Sequence, residues 1–360
     1  MKLFIPGPVS VSSETMQSMQ REMIGHRGKE FASIFGECSS GLKKVFCTNN
    51  RVLISTSSGT GLMEGAIRNC VEKNVLMIEC GAFGKKWVQV AKACGKEVDV
   101  LKVSQGNAVS KEELEKKLSE KKYEAICVTH NETSTGVENP LKEIAPIIKE
   151  HNALFLVDSV SSMGGAKISV DDWGIDVCLT SSQKCFSLPP GLSFASVSER
   201  ALEKSKTIKD KGYYFDFVEL AKEYDSNQTP YTPAVGLIFG LRTQLERMLS
   251  EGMESVWERH ENLAKQTQEW AIQNEMTLFA QNGYRSKTVT CISNEKRINL
   301  EEVKKKVKEK GFVMDAGYRK LNEELLASGR ADTMRIPHMG NLTSKELQEY
   351  LNCLEEAMKK

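Results

Sequence analysis

Charge of one sign is missing from this sequence. Its 49 lysines and arginines face 48 aspartates and glutamates, a formal net charge of +1 at pH 7, so no bulk field is available to hold a polyanion or an acidic membrane. That balance argues against nucleic acid as a partner. Long hydrophobic runs are missing too, and nothing approaches a membrane span. The N-terminal "MKLFIPGPVSV" has an apolar run too short for a signal sequence and is broken by Pro6 and Pro8. Ten cysteines are scattered from Cys38 to Cys353, yet no CxxC pair occurs, and the contexts "AICVTH", "DVCLTS" and "TVTCIS" are strand-like. The pattern points away from a disulfide framework or a zinc site and toward buried free thiols in a reducing compartment. A soluble cytoplasmic protein without metal is expected.

What is present is ample apolar material, 40% of 360 residues, enough for two domains. Between about residues 50 and 200, short β-branched runs alternate with amphipathic stretches. "RVLIST", "NVLMIEC", "EVDVLKV", "YEAICVTH", "ALFLVDSV", "IDVCLTSS" and "SFASVS" read as strands. This is the pattern of an α/β domain with a mostly parallel sheet, in which ligands collect at the carboxyl ends of the strands. Residues 236–275 form a long helical zone bridging to a smaller α+β part with strand-like "TVTCIS", the charged helix "NLEEVKKKVKEKG" and a final helix "TSKELQEYLNCLEEAMKK" opened by a Thr/Ser cap. The lysine run at 304–310 is the solvated face of a helix.

The strand ends carry the chemistry. "STSSGTGLMEGAI" sets hydroxyls and glycines between a strand and a helix, and free amides at a helix N-terminus suit a phosphate, with Ser58, Gly59 and Thr60 as contacts. Glu79 ends the next strand, as a nicotinamide-dinucleotide fold would require, although the glycine spacing G-x-G-x-x-x-G is not the standard one. Phe83, flanked by glycines in "ECGAFGKKW", can lie against a flat ligand. Residues 129–135 offer hydroxyls and an amide before Gly136. Asp158 directly follows an apolar run, where an ionised carboxylate needs a cationic or donor partner. Lys184, in "SSQKCFSLPPG", ends another strand, and burial there makes a lysine a nucleophile toward aldehydes. One ligand uses the helix amides, Phe83, Asp158 and Lys184 together: pyridoxal phosphate (PLP).

The ordered motifs "PGPVSV", "MIGHRGKEF", "SSGTG", "CGAFG", "HNETSTGV", "VDSVSSMGG", "GIDVCLTSSQKCFSLPPG", "TPYTPAV" and "MRIPHMG" resemble the class V aminotransferases, nearest the alanine–glyoxylate and serine–pyruvate branch. The resemblance spans nearly the whole chain and is most specific at "VDSV" followed by "SSQK". It implies a fold-type I PLP enzyme with a seven-stranded, mostly parallel sheet in its large domain, working as a homodimer with shared active sites. Its divisions would be an N-terminal arm at 1–15, a large PLP-binding domain at 16–240, and a bridging helix with the small domain at 241–360.

Carried over by position, the resemblance makes Lys184 the Schiff-base lysine and Asp158 the partner of the pyridine nitrogen. Val160 and Phe83 would cover the two ring faces. Ser58, Gly59, Thr60 and Gln183 would hold the phosphate, joined by Thr232 from the partner subunit. Thr133 would sit near the ring hydroxyl, and Arg335 would grip the substrate carboxylate. Two positions depart from the branch, since Phe83 stands where tryptophan is frequent and Thr60 where histidine is frequent. The expected reaction moves an amino group from a small amino acid, of alanine or serine type, to glyoxylate or pyruvate. A 2-aminoethylphosphonate–pyruvate aminotransferase is the alternative. A cysteine desulfurase would want a histidine over the ring and a late mobile cysteine, but no cysteine lies between Cys291 and Cys353. From another class, an NAD-dependent dehydrogenase would use the glycine loop and Glu79 but leave Lys184 and Asp158 idle. His26 and His338 are read as structural, and His130 is left without a role.

Overall fold

The computed structural model describes residues 1–359. At its centre is a sheet of seven strands, which we number β1 (Arg51–Ser55), β2 (Asn74–Glu79), β3 (Glu97–Lys102), β4 (Ala125–Thr129), β5 (Leu154–Asp158), β6 (Val177–Ser181) and β7 (Ser193–Val197). Their order across the sheet is β1-β7-β6-β5-β4-β2-β3. Neighbours pair in parallel except for β7, which runs against both β1 and β6. Strands β4 to β7 are buried along their whole length, as expected when helices cover both faces of a sheet. The charged, half-exposed β3 takes the edge. All seven strand segments expected from the sequence are present.

The helix Gly59–Cys70 follows β1 and packs on the centre of the sheet, burying Leu62, Met63, Ala66 and Ile67. The sheet and its helices enclose one large core, from Phe31 to Trp257, with Phe46, Trp87, Phe155, Phe186 and Phe194 fully buried. A second core gathers residues from Leu263 onward around Leu347, Tyr350, Leu351 and Leu354. Its three-stranded antiparallel sheet comprises Thr277–Leu278, Val289–Ser293 and Thr333–Pro337. The chain's first residues join this second core, since strand Lys2–Phe4 pairs in parallel with Phe312–Met314 and Phe4 stacks on Tyr350 at 3.9 Å between centroids.

The long helical zone is two helices, Val235–Glu251 and Met253–Gln273. They break at Gly252, whose φ of 86° only glycine adopts without strain. The closing helix Ser344–Met358 has the expected cap, with Thr343 and Glu346 forming a reciprocal capping box. All ten cysteines are free thiols, and seven of them are buried. Among the described residues no helix is long and apolar enough to cross a membrane.

Candidate active site

Lys184 sits in the turn that reverses the chain between β6 and β7. Ser182 locks that turn, its hydroxyl donating to Pro189 O at 2.7 Å and accepting from Leu192 N at 3.3 Å. Both ends of the chain brace it: Val9 N donates to Gln183 O at 3.1 Å, and Asn341 N donates to Ser187 Oγ at 3.0 Å. The Lys184 ammonium donates to the carbonyl of Pro6. A Cβ at Gly7 would lie 2.7 Å from Nζ, so the N-terminal turn passes this close only because residue 7 is glycine. Burial, reinforced by the nearby Arg335 guanidinium, pushes the Lys184 pKa down to about 8.

Asp158 ends β5, the strand beside β6, and is 3% exposed. Burial raises its pKa to about 7, against one hydrogen bond from Val160 N at 2.9 Å to Oδ1. Val160 in turn touches the helix that follows β1, where a Cβ on Gly59 would come within 2.6 Å of Val160 Cγ2. The absence of that Cβ lets the helix N-terminus approach the carboxyl end of the sheet. Ser58 caps the helix without a side-chain hydrogen bond, leaving first-turn amides free. Close by, the Ser181 hydroxyl is buried without a partner. Free amides and an unsatisfied hydroxyl together make a cradle for an anion.

The third wall comes from the loop after β4 and from the second core. Phe83 opens helix Ala82–Ala93, and its ring centroid lies 6.1 Å from that of Tyr318. The Arg335 guanidinium sits 5.7 Å from the Tyr318 ring. Asp315 takes Nε and Nη2 of Arg335, both at 2.9 Å, and the carbonyl of Thr133 takes Nη1 at 3.0 Å. One N–H therefore remains on each terminal nitrogen. The Thr133 hydroxyl bonds that of Ser161 at 2.6 Å.

Lys184, Asp158, Val160, Ser58, Gly59 and Thr60 thus meet at the carboxyl edge of the sheet, with Gln183 beside the lysine and Thr133, Phe83 and Arg335 on the facing wall. Thr232 lies elsewhere, exposed in a crevice with Ser55, Thr56 and Tyr214. His338 is structural: buried, it bonds Lys287 O and Thr290 Oγ1, each at 3.0 Å. His130 bonds Ser162 Oγ at 2.8 Å. The dinucleotide reading fails on topology. Four strands separate β1 from β2, so Glu79 cannot serve a ligand held at the turn after β1 in the way that fold requires.

A family model described as aminotransferase class-V matches residues 10–349. The chain is a class V aminotransferase. Serine–glyoxylate aminotransferase of Arabidopsis thaliana is 31% identical to this enzyme over 98% of the chain and 88% of the relative. L-aspartate–glyoxylate aminotransferase of Paracoccus denitrificans is 36% identical over 73% of the chain and 68% of the relative. Among solved structures, alanine–glyoxylate aminotransferase from Nostoc sp. superposes with a TM-score of 0.92 at 28% identity, covering 99% of this aminotransferase and 95% of its own chain. Class V aminotransferases are PLP-dependent transaminases, and the residues of this one fit that group. The free helix amides and orphaned Ser181 hydroxyl suit a phosphate, while the buried Asp158 suits a cationic ring nitrogen.

Four participants escaped the sequence reading. Ser181 is the last residue of β6 and opens "SSQKCFSLPPG", where nothing in the sequence marks its hydroxyl as lacking a partner. Asp315 and Tyr318 precede a helix, Arg319–Ala327, in a segment without a strand signal. Glu132 stood inside "HNETSTGV", and the clue was an acid among hydroxyls in a segment without lysine or arginine.

Proposed function

We propose that this aminotransferase carries PLP on Lys184 and moves an amino group from a small amino acid, of alanine or serine type, to glyoxylate or pyruvate. The reading rests on one observation above the others: a lysine with a depressed pKa in the turn after β6 and a buried aspartate ending the neighbouring β5 lie beside an uncapped helix N-terminus. The serine–, aspartate– and alanine–glyoxylate relatives support the choice of acceptor.

Bound PLP supplies an aldehyde for exchange with the substrate amine and a ring that takes up an electron pair from the substrate's α carbon. The chain's own residues do the rest. Arg335 is held by Asp315 and Thr133 so that its two remaining N–H groups can take a substrate carboxylate. Asp158 holds a proton on the ring nitrogen, where a cation relieves the cost of its own burial. Lys184 in its neutral form removes the α proton and later returns it. Amides of Ser58, Gly59 and Thr60, with Gln183, bind the phosphate. Val160 and Phe83 would cover the faces of the ring, and the Thr133 hydroxyl would be available to its oxygen.

Thr232 belongs to the same reading through a second subunit. The exposed rings of Tyr213 and Tyr214 lie beside Tyr231, 5.4 and 4.9 Å between centroids, an aromatic patch suited to a homodimer contact next to Thr232. The proposal also includes an N-terminal arm at 1–15, a large domain and a small one, with the boundary first set at 240/241 moved toward residue 260 because the first core runs on to Trp257 and the second takes up at Leu263, and a cytoplasmic setting for ten free thiols.

The test is reduction of the purified enzyme with borohydride followed by peptide mapping. Cofactor is expected on Lys184, and label on any other lysine overturns the reading. A panel of alanine, serine, aspartate and 2-aminoethylphosphonate against glyoxylate and pyruvate then fixes the donor. Exclusive use of the phosphonate would replace the carboxylate-donor assignment.

A further inference from the structure

Glu132 has no part in the steps above, yet it is 0% exposed, and its carboxylate is ringed by donors. Oε2 accepts from the backbone N–H groups of Phe83 at 3.0 Å and Gly84 at 3.1 Å. Oε1 accepts from Ser134 N at 3.1 Å and Ser134 Oγ at 2.6 Å. No base is among these partners. The Ser134 hydroxyl in turn accepts from Ala82 N at 3.0 Å. The first-turn amides of helix Ala82–Ala93 are therefore satisfied by this carboxylate and its serine, and Gly81, the N-cap, supplies no side chain.

The carboxylate joins two pieces of the site that are distant in sequence. One is the start of the helix that presents Phe83. The other is the turn after β4, in which Thr133 lies between Glu132 and Ser134. That same Thr133 holds Arg335 through its carbonyl at 3.0 Å and Ser161 through its hydroxyl at 2.6 Å. Space for the joint depends on Gly81, where a Cβ would come 2.6 Å from Ser134 Oγ and 2.7 Å from Glu132 Cδ. A lone carboxylate this deep costs free energy even with four hydrogen bonds. A merely structural crosslink between two loops could be made by an amide and a hydroxyl.

We propose that Glu132 is a positioning residue of the transaminase. It fixes the Phe83 platform to the Thr133–Arg335 wall. This role rests on the PLP reading above.

Glu132→Gln separates it from plain structure. The amide has one acceptor oxygen, so it can serve the Phe83–Gly84 pair or the Ser134 pair but not both, and its NH2 then faces donors. PLP affinity of the apoenzyme, followed by quenching of tryptophan fluorescence, should fall about tenfold or more, the equivalent of losing hydrogen bonds to a charged group. The visible circular dichroism band of the bound cofactor should shrink or change sign as the ring loses its platform. Asp176→Asn is the control. That buried carboxylate accepts from Phe155 N at 2.9 Å and Ser198 Oγ at 2.8 Å at the opposite end of the strands, and its loss should lower the melting temperature without changing PLP affinity or the band. Should Glu132→Gln not fold, Ser134→Ala removes a single donor and is expected to move both readouts the same way by less. Wild-type affinity and an unchanged band in Glu132→Gln, or in Ser134→Ala if only that variant is soluble, overturn the role. Failure of the wild type to take up PLP at all overturns the function reading together with it.

Discussion

The lowered pKa of Lys184 can be tested without any turnover. Burial and Arg335 bring it to about 8 from an ordinary 10.5, while Asp158 and Asp315 pull it the other way. At pH 7.5 a group of pKa 8 is neutral in roughly a quarter of molecules, against roughly one in a thousand for an ordinary lysine, a gain of about two hundredfold in free amine. Arg335→Gln removes the nearest cation and strands Asp315, so both changes raise the lysine pKa. Removing Asp315 as well, in the double variant with Asp315→Asn, should bring it part of the way back. Asp158→Asn should lower it further. The assay is labelling of the apoenzyme with an amine-reactive reagent across pH 6 to 11, with the peptide containing Lys184 quantified by mass spectrometry. A wild-type midpoint near 10, or a fall in Arg335→Gln, would refute the electrostatic account of the site.

Asp158 yields a stability prediction of definite sign. Its folded pKa of about 7 lies above the ordinary 3.8, so between those values the folded apoenzyme binds more protons than the unfolded chain. That stabilisation is complete below pH 3.8 and is lost as pH rises through 7. Urea melts should therefore show Asp158→Asn gaining on the wild-type apoenzyme from pH 4 to 7, and a gap that does not vary with pH would show that Asp158 stays ionised throughout. Gly59→Ala places a methyl 2.6 Å from Val160 Cγ2. It should cost about 1–3 kcal/mol of stability and weaken both PLP and inorganic phosphate binding, and unaltered phosphate affinity would move the anion site elsewhere.

Much of this enzyme can be read before folding. The strands β4 to β7 announce themselves because sheets covered on both faces need unbroken apolar runs, and Asp158 and Lys184 stand out as the polar residues that interrupt them at the right end. The reversed direction of β7 was not legible, since alternation of apolar residues is the same in either sense. Gly252 splits a helical zone whose periodicity continues on both sides of it, so only its backbone angle reveals the break. Family resemblance points Arg335 toward a substrate carboxylate, but its engagement with Asp315, which is 20 residues away and meets it across an isolated bridge, was not legible. Glu132 was hidden for a related reason. Its partners are mostly backbone amides, and no residue type marks an amide as free until the helix that leaves it free has been built.

The turn carrying Lys184 is pinned by residue 9 on one side and by residue 341 on the other, and Asn341 is synthesised 154 residues after the Ser187 that it holds. A ribosome that stops between those points releases a polypeptide with its reactive amine but without the second pin. In such a polypeptide the lysine's turn would be held from one side only.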